Sequence, residues 1–172
     1  GTTFRIVNCS NVTIEDCVFK YPNYNKLVLG DLSRGAASAI HARKKGDKGQ
    51  FFFPEVFGNS RDNIVRNCVF TRMDGPALEV EGTGNLVENC YFAEADYSCL
   101  GTGAEGTINL INSEDTVFRH NTIHTSGNSD CVRAGSRSLV ELNHIYNSNL
   151  IQHDGAQINV GANDQKGTIL RR

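Results

Sequence analysis

Two carboxylates, a histidine and an arginine stand near one another in the sequence: Asp130, Arg133, His153 and Asp154. Carboxylates held one structural repeat apart perturb each other's ionisation. One is then protonated as a general acid while the other stays ionised as base or nucleophile, the division of labour that glycoside hydrolysis needs. Arg133 would orient sugar hydroxyls or a carboxylate. In a lyase, Arg133 would instead neutralise a uronate carboxylate while His124 or His153 took the C5 proton, because that step builds an enolate-like anion. His41, Glu79, Asn109, Gln157 and Asn159 are the further residues suited to sugar binding, together with His124. An outward row of such side chains suits an extended glycan, although outward strand positions are polar in any solenoid.

What brings these residues together is an internal repeat. Five segments share one pattern: NVTIEDCVF ending at Phe19, NIVRNCVF at Phe70, NLVENCYF at Phe92, TVFRHNTI at Ile123 and SLVELNHI at Ile145. They align Cys17, Cys68, Cys90, Asn121 and Asn143 at spacings of 51, 22, 31 and 22 residues. Apolar columns flank this one: Ile14, Val65, Val87, Phe118 and Val140 on one side, Phe19, Phe70, Phe92, Ile123 and Ile145 on the other. A unit of this length with short apolar strands and polar turns is one coil of a right-handed parallel β-helix, an all-β solenoid here of five to seven coils. A buried Asn column is tolerable only as a hydrogen-bonded ladder.

A second strand recurs as Ala39–Ala42, Ala77–Val80, Thr107–Leu110, Cys131–Ala134 and Gln157–Val160. Alternation turns the third residue of each outward, giving the row His41, Glu79, Asn109, Arg133 and Asn159. A column of Asp74, Asp96, Asp130 and Asp154 precedes it. For Asp74 and Asp96 the favoured role is bonding nearby turn amides. Residues 43–62 and the Gly-rich stretch from Tyr97 to Gly106 are insertions, of the kind that wall a functional cleft.

The chain of 172 residues carries a formal charge of −2, which gives no basic field for nucleic acid. No apolar run approaches the roughly 20 residues of a membrane-spanning helix. Cys17, Cys68 and Cys90 read as small core residues. The sequence carries no Cys-x-x-Cys pair that would point to zinc and no cofactor motif, and a calcium site at the loops has no loop signature behind it. His120 and His144 read as turn or surface residues. The C-terminal Gly167–Arg172 resembles the start of another copy, so the expectation is one β-helix domain over 1–172 that is a piece of a longer, secreted or cell-surface chain.

The Asn-x-Ile-x-x-Asn-x-Ile coils resemble the repeat of the pectin-lyase-like superfamily. Over Thr107 to Asn143, TINLINSEDTVFRHNT followed by CVRAGSRSLVELN is similar to chondroitinase B and related alginate lyases. That likeness implies a catalytic Arg at Arg133, with Asn112 standing where the family has its Lys. The resulting expectation is a polysaccharide-degrading enzyme, hydrolase or lyase. The alternative is a non-catalytic adhesin or glycan-binding surface protein.

Overall fold

A computed structural model describes residues 4–7, 9–22, 27–30, 60–97, 106–127, 130–152, 155–160 and 167–172. Among these the chain makes six coils. The first carries β1 (Phe4–Val7), β2 (Thr13–Glu15) and β3 (Val18–Lys20). The second carries β4 (Leu27–Gly30), β5 (Ile64–Arg66) and β6 (Val69–Met73). The third has β7 (Leu78–Val80), β8 (Gly82–Thr83), β9 (Leu86–Glu88) and β10 (Tyr91–Ala95). The fourth has β11 (Ile108–Asn109), β12 (Ser113–Glu114), β13 (Val117–Arg119) and β14 (Thr122–Ser126). The fifth has β15 (Val132–Arg133), β16 (Leu139–Glu141) and β17 (His144–Tyr146), and the sixth β18 (Ile158–Asn159) and β19 (Ile169–Arg171).

Every strand pairs in parallel with its equivalents one coil away, which builds three long sheets. The first runs β1-β4-β7-β11-β15-β18, the second β2-β5-β9-β13-β16-β19 and the third β3-β6-β10-β14-β17. Their inner faces meet in one core in which Val65, Phe70, Val87, Phe92 and Phe118 are wholly excluded from solvent. Phe19, Phe70 and Phe92 stack at centroid distances of 4.8 and 4.7 Å, so the apolar column is also an aromatic stack along the axis. The register matches the sequence alignment at Ile14, Val65, Val87, Phe118 and Val140, and continues to Leu170.

The bend between the second and third sheets holds the Cys/Asn column. Asn121 Oδ1 accepts the Cys90 amide at 2.9 Å, and Asn143 Oδ1 accepts the Asn121 amide at 2.9 Å. In the earlier coils the Cys68 and Cys90 thiols instead donate weakly to the Ile14 and Val65 carbonyls at 3.6 and 3.7 Å. A second ladder, absent from the sequence reading, stands at the entry to the second sheet. There Asn63 Oδ1 accepts the Val12 amide at 3.1 Å and Asn85 Oδ1 accepts the Asn63 amide at 3.1 Å. Just before the Cys/Asn column, Asp16, Asn67, Asn89, His120 and Leu142 all take left-handed backbone, φ 50–55°. Four of these are Asp, Asn or His, the non-glycine residues that tolerate this region best. His120 is therefore a turn residue, as its position in the repeat suggested.

On the outside of the second sheet, charge alternates from coil to coil along Glu15, Arg66, Glu88, Arg119, Glu141 and Arg171. Arg66 Nε lies 2.6 Å from Glu15, Arg119 Nη2 2.8 Å from Glu88 and Arg171 Nε 2.8 Å from Glu141. Like charges would otherwise meet directly across neighbouring strands, so the alternation favours this register over slipped ones. Each pair is partly solvated and adds little stability alone.

Cys9, Cys17, Cys68, Cys90 and Cys131 are free thiols. Burial pushes the Cys90 and Cys131 thiols up to about 12, and burial raises Cys68 as well. Since the thiolate is the nucleophile, these three should resist a thiol reagent in the native protein near about pH 8 and react at once in denaturant. Half-buried Cys17 should label before them. Mass spectrometry after a short pulse checks this, and rapid native labelling of Cys90 would contradict the column.

Candidate functional site

The outward row of the first sheet is in register: Glu79 opposite Asn109, Asn109 opposite Arg133, Arg133 opposite Asn159. Successive rungs of a parallel sheet stand about 4.8 Å apart, so these four residues form one line across four coils. The neighbour of Glu79 on the other side is Val28 rather than His41, because Leu27–Leu29 pair with Leu78–Val80. The strand expected at Ala39–Ala42 therefore does not occupy that place. His41 itself lies outside the described residues.

The row is not freely open along its length. Glu79 and Asn159 are half-buried, whereas Asn109 and Arg133 are only 6% and 9% exposed. Outward strand positions were expected to face solvent. The difference arises because these side chains fold onto neighbouring backbone. Asn109 Oδ1 accepts the Ile111 amide at 3.3 Å, turning toward the end of its own strand. Arg133 lies across Gly106, where an added Cβ would come within 2.8 Å of Arg133 Cγ and 3.1 Å of the Asp130 carbonyl oxygen. The last glycine of the Gly-rich insertion is thus what leaves room for the arginine.

Asp130 is the hub of this region. Its Oδ1 accepts the Ala156 amide at 3.1 Å, its Oδ2 accepts Asn159 Nδ2 at 2.8 Å, and Arg133 Nε stands 3.5 Å from Oδ2. Both oxygens are committed to groups that clamp the fifth coil to the sixth, and the carboxylate is 5% exposed. This geometry suits a residue that positions Arg133 and Asn159. Gln157 is exposed beside them, and its carbonyl accepts the Val132 amide at 3.0 Å. His153 and Asp154, the other half of the expected acid–base set, lie outside the described residues.

Two further expectations change. The four aspartates do not share one column: Met73 pairs with Ala95 and Ala95 with Ser126, which aligns Asp74 with Asp96 and then with Gly127. Asp130 instead aligns with Gly106, since Ile108 pairs with Val132. Turn lengths differ between coils, and counting back from the strand hid this. Asp96 is fully buried and its Oδ2 accepts the Thr107 hydroxyl at 3.3 Å, a side-chain partner eleven residues on. His124, expected where the chain leaves the repeat for the loops above that row, stands within β14 in the third sheet.

There it belongs to a cluster the sequence reading did not assemble. Tyr91 Oη and His124 Nε2 are 2.6 Å apart, and His124 Nδ1 is 2.8 Å from Thr125 Oγ1. The His124 ring stacks on Tyr146 at 4.9 Å with planes 10° apart, and His144 packs on Tyr146 at 4.6 Å. The signal was present in the repeat, as the residues flanking each inward Phe or Ile, but only the inward columns were aligned. Asn112, at the position the lyase likeness marks, donates from Nδ2 to Glu81 Oε1 at 3.1 Å. Glu81 is buried, so this bond fixes the turn after the first sheet.

Comparison with curated proteins and with solved structures gave no match, so the likeness to chondroitinase B and alginate lyases gains no support from relatives. The family model described as "Right handed beta helix region" matches residues 55–170, more than half of the chain, and with its six coils of parallel strands the protein belongs to that family.

Proposed function

We propose that this β-helix acts on a polysaccharide laid across its coils, with Glu79, Asn109, Arg133 and Asn159 as the line of contact. The observation that carries the reading is the register that puts an acid, two amides and a guanidinium on four successive rungs of one sheet. Sugar hydroxyls need such a mixture of donors and acceptors at short, regular spacing. In this reading Asp130 is a positioning residue, and proton transfer falls to Asp154 with His153 beside it in sequence.

Incubation with neutral and uronate polysaccharides tests the reading. New reducing ends alone mark a hydrolase, and reducing ends with the ultraviolet absorbance of an unsaturated uronate mark a lyase. Asp154→Asn should lower turnover at least about a hundredfold with the melting midpoint unchanged, as for loss of a general acid or base. Binding without cleavage favours the glycan-binding alternative, which the two-sided tethering of Asp130 makes concrete. Neither binding nor cleavage of any polysaccharide would sink both.

A further inference from the structure

The corner that follows the third sheet holds a shallow, widely open cleft of about 480 Å³ lined by Arg72, Met73, Asp74, Glu94, Tyr97 and Thr125. We propose that this cleft is a separate binding site for a neutral sugar unit, distinct from the line on the first sheet. Its size lies within the usual range of small-ligand clefts.

Its construction starts from the backbone. Arg72, Glu94 and Thr125 lie on three successive coils and all take left-handed φ, at 55°, 53° and 57°. For a β-branched residue such as Thr125 this conformation is an outlier that costs energy and persists only where surrounding structure enforces it. The same left-handed bend recurs at the equivalent Tyr21 and Asn147, so the stacking of the coils imposes it; the Thr125 hydroxyl is 2.8 Å from His124 Nδ1, and His124 is held by Tyr91 and Tyr146. The hydroxyl is thereby presented in one orientation.

The charges are set in the same way. Arg72 Nε donates to Glu94 Oε2 at 3.0 Å, and Arg72 also bonds Tyr21 Oη, so guanidinium and carboxylate form a paired donor–acceptor edge. Asp74 adds a second carboxylate to the lining and Tyr97, 37% exposed, adds an aromatic ring. A ring beside carboxylates, a guanidinium and a hydroxyl matches a pyranose, with C–H faces for the aromatic and hydroxyls for the polar edge. Two carboxylates against one guanidinium leave the lining net negative, which disfavours a uronate and selects an uncharged sugar.

This inference does not rest on the first-sheet reading, and the experiment separates them. Calorimetric titration would use neutral gluco-, manno-, galacto- and xylo-oligosaccharides, with an oligogalacturonate as the charged probe. The expected result is binding of at least one neutral series, weakened about tenfold or more by Tyr97→Ala and by Glu94→Gln, roughly the loss of one stacked ring or one charged hydrogen bond. The titrations are made in the Glu79→Gln background, which weakens the first-sheet line, and Arg119→Gln, on the outer face of the second sheet, should leave the cleft binding unchanged. Glu94 is half-exposed, so Glu94→Gln reads the site even if Tyr97→Ala lowers the melting midpoint. The proposal is overturned if no neutral oligosaccharide binds, if only the oligogalacturonate binds, or if binding survives both cleft variants.

Discussion

Replacing Asn121 by Leu should lower the stability of the fold by about 3 kcal/mol, a large share of what a domain of this kind possesses. Asn121 is 1% exposed and is bonded on three sides. Its Oδ1 accepts the Cys90 amide at 2.9 Å, and its Nδ2 donates to the Val87 carbonyl and to Asn143 Oδ1, both at 3.1 Å. Leucine has the same branched outline and number of side-chain heavy atoms and is larger, so the effect contains no cavity term and adds only crowding to the lost hydrogen bonds. The Cys90 N–H loses this acceptor in a dry interior, and each buried polar group deprived of its partner costs about 1–3 kcal/mol. Urea unfolding should show a lower midpoint with an unchanged slope. An unchanged midpoint would mean that the ladder does not hold the coils.

Gly135→Ala should be at least as damaging, and for a steric reason. Gly135 follows β15 where the chain turns from the first sheet toward the second. A Cβ there would stand 2.2 Å from the Ser113 carbonyl oxygen and 2.4 Å from that of Leu110. Both obstacles are backbone, and both belong to a tight turn in which the Ser113 amide and hydroxyl bond the Leu110 carbonyl at 2.9 and 2.6 Å. Neither can withdraw without breaking the fourth coil's turn, so a loss of about 3 kcal/mol or more is expected, at the upper end for overpacking. Thermal unfolding checks it. A variant as stable as the parent would show that the two coils do not approach this closely.

Much of the fold was legible because the same residue types recur at the same place in each coil. Cys17, Cys68, Cys90, Asn121 and Asn143 with their apolar flanks identify a bend between two sheets without any outside reference. The first-sheet strands were harder. Phe4–Val7 and Leu27–Gly30 carry no Cys/Asn marker, and Ala39–Ala42 imitated the motif well enough to be placed beside Ala77–Val80. The site was legible only in its register. Strand alternation put Glu79, Asn109, Arg133 and Asn159 in one row, but it says nothing of how far each side chain folds back. Burial of Arg133 depends on Gly106 and Asp130, which sit in turns of irregular length. The same irregularity broke the aspartate column: Asp74 stands four residues before Leu78, whereas Asp96 stands twelve before Ile108. Periodicity reads strands, and turns escape it.

The central claim is that a sugar chain lies across the coils on the first sheet, and the most direct measurement is oligosaccharide affinity as a function of chain length. It is best made in the Tyr97→Ala background, with Glu79→Gln and Gln157→Ala introduced singly. Glu79 is one end of the row and Gln157 stands beside Asn159 at the other, on the third and sixth coils, roughly three rungs of about 4.8 Å apart. Affinity should rise with length until the row is spanned, and each variant should then weaken the longest ligands about tenfold while short ones lose affinity to one variant only. Affinity that is independent of length and indifferent to both substitutions would contradict the account.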